Sequence, residues 1–258
     1  MPRHARSAGA AAAGTVRRRL VVTWAVAIAL LASAKLLAAV EPTGLLKGNL
    51  AGVAAVVFVL LPERRMLSEG RRWSDYGLSW AGLGVRERLG RWGRGALFAL
   101  AVCALVFPLF LAGFWIYGRL LPSLPPALAH ALAPYAAPPV PRFRLPARFA
   151  LMIPVQLLVV ALPEELFYRG WMQTTWAGTA PGRGVRVLGA RLGAGFLATQ
   201  ALFAAGHLVV LEPWRLATFF PGLLFGWTRE RTRDLAAPVM VHALANLFIA
   251  TLEASFYG

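Results

Sequence analysis

Apolar residues in this chain run in long blocks, not in short alternating patterns. Seven such stretches can be marked, at Leu20–Val40, Leu45–Leu61, Gly95–Tyr117, Phe149–Trp171, Leu192–Leu211, Leu216–Trp227 and Leu235–Ala254. Several approach the ~20 residues that an α-helix needs to cross a bilayer. The pattern therefore predicts an all-α, polytopic membrane protein of about seven (or eight) transmembrane helices. Polar punctuation falls between the blocks. Glu63–Arg94 mixes arginines with Trp73, Tyr76, Trp80 and Trp92, as in an interfacial amphipathic segment whose aromatics sit at headgroup depth. Pro122 to Pro146, with Pro125-Pro126, Pro138-Pro139 and Pro141, cannot be helical throughout and reads as an outer loop or a re-entrant piece. Pro2–Arg19 is rich in Ala, Gly and Arg and offers no cap or hydrophobic face, so residues 1–19 are expected to form a disordered basic tail. Residues 20–258 then make a single transmembrane domain, with 149–254 as its motif-bearing core. A basic segment before an apolar run could also be a signal peptide. That run is long, however, and Lys35 interrupts it late without a clean cleavage site, which favours a retained first span.

Composition supports a membrane protein. Hydrophobic residues make up 58% and charged residues 15%, against about 45–50% and about 25% in soluble domains, and the mean hydropathy is +0.60. The net charge of +16 would suit a nucleic-acid binder, but its placement does not. Arg17–Arg19, then Arg64 through Arg94, then Arg183 to Arg191, then Arg229, Arg231 and Arg233 occupy every second gap between spans. This is the arrangement that the positive-inside rule assigns to the cytoplasm. It predicts a cytoplasmic N-terminus, an outer C-terminus and no nucleic-acid partner. Lysine occurs only at Lys35 and Lys47; that bias toward arginine points to a high-GC bacterial coding sequence and hence an inner (plasma) membrane. The lone Cys103 cannot form an internal disulfide, and no internal repeat is evident.

Chemistry is concentrated in three apolar stretches. Glu164 and Glu165 stand adjacent inside the fourth, where a carboxylate costs at least about 2.5–3.5 kcal/mol. Arg169 lies four residues after Glu165, on the same helix face, so those two can pair. Glu164 is offset by about 100° and need not share the arginine. This suggests a division of labour: a neutralised Glu165–Arg169 pair that supports structure, and Glu164 left to take protons. A carboxylate in an apolar surround is a better proton acceptor than one in water, which suits a general base. Both glutamates could equally belong to one structural network. Further on, Phe203 and His207 share one helix face, and His242 and Asn246 share another. Asn and His are suitable donors to an oxyanion. A Glu and two His could also ligate zinc, but His-Glu-x-x-His is absent, so no cofactor is expected. Counting along the blocks puts Glu164 and His242 roughly 10 Å, and His207 roughly 22 Å, from the arginine-rich ends of their helices. The only aspartates, Asp75 and Asp234, fall in or beside loops, no Gly-x-Ser-Gly occurs, and no serine sits centrally in a span. Aspartyl and serine intramembrane proteases are thereby excluded.

Glu164-Glu165-x-x-x-Arg169, then Phe203-x-x-x-His207, then His242-x-x-x-Asn246 closely resemble the three ordered motifs of the CAAX protease and bacteriocin-processing (CPBP) family of glutamic intramembrane proteases. The likeness runs from Pro163 to about Leu247, a third of the chain. Asp75-Tyr76-Gly77-Leu78 also looks like a short cytosolic segment common in that family. The resemblance implies a helical membrane fold with a polar cavity open to the cytosol. Within it Glu164 would activate water, His207 would position it, and His242 with Asn246 would stabilise the oxyanion, supported by Glu165, Arg169 and Phe203. The expected activity is hydrolysis of a peptide bond near the cytosolic membrane surface, in a hydrophobic or lipidated polypeptide substrate held among membrane lipid. Two other classes could use the same cluster: a non-catalytic scaffold or immunity protein, and a proton-coupled carrier in which Glu164 titrates.

Overall fold

The computed structural model describes residues 3–78, 82–132 and 139–258; Trp80 and Pro138 lie outside the described residues. Its helices are α1 (Arg3–Val40), α2 (Leu50–Ser68), α3 (Val85–Leu120), α4 (Pro126–Leu132), α5 (Phe149–Gly178), α6 (Ala194–Gly206), α7 (Phe219–Thr232) and α8 (Ala236–Tyr257). A small antiparallel hairpin, β1 (Val185–Val187) and β2 (Ala190–Leu192), joins α5 to α6. The fold is otherwise all-α.

Among the described residues, four helical stretches are long and apolar enough to cross a membrane: Ala11–Val40, Val85–Ser123, Phe149–Gly178 and Ala236–Tyr257. The other three expected spans also form helices but fall short of that standard, each for a local reason. Gly48 and Asn49 break the second block into a single turn, Leu45–Gly48, and α2, whose last turns carry Glu63, Arg64 and Arg65. The apolar helix Ala194–Val210 is shortened at its start by the hairpin, and α7 has only 14 residues. The flanks of the long helices are greasy: Leu97, Leu105 and Leu109 of α3 are 70%, 74% and 71% exposed. A row of this kind on one helix suits lipid and not water.

The tail expected to be disordered is helical instead, since α1 starts at Arg3. Alanine and arginine, which dominate that segment, are among the best helix formers, and this outweighs the missing cap. Of the proline-rich stretch, the described residues hold α4 and, from 139 onward, an irregular segment stitched to the end of α8. Val140 N–H donates to Phe256 O at 3.0 Å and Arg142 N–H to Ser255 O at 2.8 Å. Ser255 Oγ and the Arg144 backbone exchange a further pair of bonds.

The core gathers around α5. Phe167, Tyr168, Trp171 and Met172 pack with Leu20 and Ala27 of α1, Phe58 and Met66 of α2, Phe203 of α6, Phe225 of α7 and Val241 of α8. α3 lies along α8, where Phe107 and Phe248 stack with centroids 4.2 Å apart. At the arginine-rich end the short turn Trp73–Tyr76 tucks under α5. Gly77, at φ 95°, follows it, and a Cβ there would meet the Arg229 guanidinium at 2.7 Å. Glycine is what lets this turn close beneath the arginine.

Candidate active site

α5 is not a uniform α-helix. Val155–Ala161 and Leu166–Gln173 are π-helical, flanking the α-helical turn Leu162–Glu165 that carries both glutamates. Wide turns of this kind tend to mark functional positions. Here they follow Pro154 and surround Pro163, which have no N–H to give to the helix. The wide turns also keep α5 continuous to Gly178, beyond the expected end at Trp171. Glu164 therefore lies about 21 Å from the arginine-rich end of its helix, and His207 about 20 Å from Ala194. The difference expected between these two disappears, while His242, bonded to Glu165, stays about 9 Å from the start of α8 at Ala236.

The two glutamates have different surroundings. Glu165 is fully buried, and its Oε1 accepts from Arg169 Nη1 at 2.9 Å and from His242 Nδ1 at 2.8 Å. The expected Glu165–Arg169 ion pair is thus present, and His242 joins it. Arg169 Nη2 donates onward to Gln200 Oε1 at 2.8 Å and to Gly222 O at 3.2 Å. Gln200 Nε2 donates to Gln173 Oε1 at 3.0 Å, and Gln173 Nε2 to Glu230 Oε1 at 2.8 Å. This chain of buried polar side chains ties α5, α6, α7 and α8 together. Only glycine fits where α7 crosses it, because a Cβ on Gly226 would stand 2.6 Å from Gln200 Nε2. Phe203 lies beneath the arginine, with Arg169 Cζ 4.2 Å from its ring centroid.

Glu164, by contrast, has 18% of its side chain exposed, and His242 Nε2 stands 3.8 Å from its Oε2. His242 therefore sits between the two carboxylates, with Phe225 stacked on its ring at 4.5 Å and Phe203 edge-on at 6.1 Å. His207 stands just past the end of its helix. α6 ends at Gly206, and His207 opens a tighter 3-10 turn, His207–Val210. Its Nδ1 meets its own helix's Phe203 O at 2.8 Å, so the Nε2 side of the ring is turned away from the helix. Glu164 and His207 line one cleft of about 170 Å³, shared with Tyr168, Gly206, Val209, Val210 and Arg215 and walled by Ile28, Leu31, Ala54 and Phe58. Its lining is polar toward α5 and α6 and apolar toward α1 and α2.

Asn246 does not converge with His242 on a shared partner. Its Nδ2 donates to Gln156 Oε1 at 2.9 Å, bridging α8 to the first wide turn of α5. Gln156, Gln173 and Gln200 escaped the sequence reading. Each is an amide inside an apolar run, the first two eight residues before Glu164 and eight after Glu165, and intramembrane amides of this sort commonly hydrogen-bond between helices. Among the described residues no group of three His, Cys, Asp or Glu side chains is placed to hold a metal ion.

Residues 146–248 match the family described as Type II CAAX prenyl endopeptidase Rce1-like, a protease family, and the matched segment spans α5 to the Asn246 turn of α8. No curated protein and no solved structure matches the chain.

Proposed function

We propose that the Rce1-like domain makes this protein an intramembrane endopeptidase in which Glu164 is the general base. The observation that carries the reading is His242 held between two glutamates, its Nδ1 on Glu165 at 2.8 Å and its Nε2 3.8 Å from Glu164, beside the cleft that Glu164 shares with His207. Water in that cleft gives its proton to Glu164 as its oxygen attacks the scissile carbonyl carbon. The carbonyl oxygen becomes an oxyanion, and the tetrahedral intermediate collapses as Glu164 returns the proton to the leaving amine.

The hydrogen bonds support a division of the remaining roles. With its Nδ1–H given to Phe203 O, His207 presents Nε2 as an acceptor that holds the water. With Nδ1–H given to Glu165, His242 must carry a second proton on Nε2 to serve the oxyanion. The Asn246 N–H not used by Gln156 is the second oxyanion donor. Glu165 and Arg169 hold His242 in place and touch no reacting atom. No metal ion enters this scheme.

The substrate is a hydrophobic or lipidated polypeptide reached within the membrane. Membranes of cells producing the native chain should be compared with membranes of cells producing Glu164→Gln, by mass spectrometry of protein N-termini. New N-termini in membrane proteins, present only with the native chain, are expected. Identical N-terminal profiles would sink the proposal.

A further inference from the structure

α1 and α2 enclose a second hollow that shares no residue with the cleft beside Glu164. It is a groove of about 360 Å³ between the first turns of the apolar part of α1 and the last turns of α2. Val22, Thr23 and Val26 form one wall. The other is Leu61, Arg64, Arg65 and Ser68, whose spacing of three, four and seven residues puts them on a single helix face.

The groove is charged at one end and apolar at the other. Arg64 and Arg65 are exposed, and among the described residues neither side chain makes an ion pair or a hydrogen bond. The two hydroxyls are already committed: Thr23 Oγ1 donates to Arg19 O at 2.9 Å and Ser68 Oγ to Arg65 O at 2.8 Å. The guanidiniums are therefore the groove's free donors, and guanidinium is the side-chain group best matched to a phosphate.

Away from the arginines, two apolar tracks leave the groove. Val22, Val26 and Leu30 follow one another four residues apart along α1, and Val56 and Leu60 do so along α2; all five are about half exposed. Residues four apart stand one above the other on a helix, so each track can be followed to its end. Four residues beyond Leu60 is Arg64, and four before Val22 is Arg18. Each helix thus presents an apolar strip capped by a cation, and the two strips flank one groove.

We propose that this groove binds one anionic diacyl phospholipid from the leaflet at the arginine-rich face. Arg64 and Arg65 hold its phosphate, and its acyl chains lie along the α1 and α2 tracks. Basic pockets between membrane helices are suited to such headgroups. A free phosphate would leave the apolar half unfilled, and a zwitterionic lipid brings a cation of its own to an end that already holds two. Because the walls come from different helices, a bound lipid ties α1 to α2.

The test uses the full chain in a neutral detergent, titrated separately with dioleoylphosphatidylglycerol, dioleoylphosphatidylcholine and inorganic phosphate. A ligand of the folded state raises the thermal unfolding midpoint, and phosphatidylglycerol should raise it by at least about 4 °C at saturation. Phosphatidylcholine and phosphate should do little. Arg64→Ala/Arg65→Ala should weaken the response to phosphatidylglycerol at least about ten-fold in apparent Kd, with the lipid-free midpoint unchanged. Arg183→Ala/Arg186→Ala removes the same charge near the β-hairpin and should leave the response intact. Val26→Trp fills the apolar half and keeps both arginines; it should also weaken binding, and it decides the matter if the double variant loses folded yield. An equal rise with phosphatidylcholine would overturn the proposal, since the headgroup would not be read. An equal rise with phosphate would reduce the groove to an anion site. Equal losses in the two double variants would reduce it to surface charge, and a response untouched by either groove variant would place the lipid elsewhere.

Discussion

Glu164 and Glu165 are neighbours in sequence and share a helical turn, yet they face two different solvents. On the arginine-rich side of that turn a buried chain of hydrogen bonds links Glu165, Arg169, Gln200, Gln173 and Glu230, with only Glu165 Oε2 and Arg169 Nε along it lacking a partner. On the other side lies a cleft in which Glu164 has His242 3.8 Å away, shares the lining with His207 and has room for water. The comparison teaches that the EE motif is a boundary. Hydrogen bonds linked in a low-dielectric interior strengthen one another and give rigidity, and that rigidity holds His242 beside Glu164. A buried pair need not add net stability, but breaking one is costly.

The contrast can be broken in four ways. Glu164→Gln should lower the rate of peptide cleavage by about 10²–10⁴, the usual worth of a general base, and leave the thermal unfolding midpoint in detergent unchanged. A large fall in the midpoint would place Glu164 with the packed half. Arg169→Ala should do the opposite and lose about 3–5 kcal/mol of stability by stranding Glu165 in the core. Folded yield by size-exclusion chromatography reads this out, and native yield would contradict the buried chain. Gly226→Ala is a milder attack on the same chain, because its methyl group collides with Gln200. Overpacking of this kind costs about 1–3 kcal/mol, measurable by thermal unfolding, and an unshifted midpoint would show that the chain has slack. Gln156→Leu is the gentlest: losing the single bond to Asn246 is worth about 0.5–1.5 kcal/mol. The change should appear as a reduced turnover number with unchanged substrate affinity; unaltered turnover would separate Asn246 from the oxyanion.

The all-α class, the order of the motif helices and the Glu165–Arg169 pair were legible in the sequence. Each rests on local spacing: apolar runs of bilayer length and an i, i+4 offset. Where tertiary geometry decided, the pattern was silent. Hydropathy marks α5 as apolar but cannot register two π-helical segments, so its end was placed at Trp171 instead of Gly178. The bond from Glu165 to His242 joins residues 77 positions apart, and nothing in either motif names the other as partner. Gln156 and Gln200 are single amides inside apolar blocks and Gln173 lies two residues past the marked end of one, and a single amide carries no period. The helicity of residues 3–19 was missed for the converse reason, that a missing cap was weighed above strong intrinsic propensity.

The wide turns of α5 have a consequence of another kind. A π-turn amounts to one residue inserted into an α-helix, so the chain before it is out of phase with the chain after it by about 100°. Val155–Ala161 thus lets the Phe149 end of α5 present one azimuth to its neighbours while the glutamates present another. Deleting a single residue there, such as Val159, would let the helix relax to regular pitch and rotate the whole outer half of α5 like a slipped clutch. Every other side chain would be kept, and the bond from Asn246 to Gln156 would be lost.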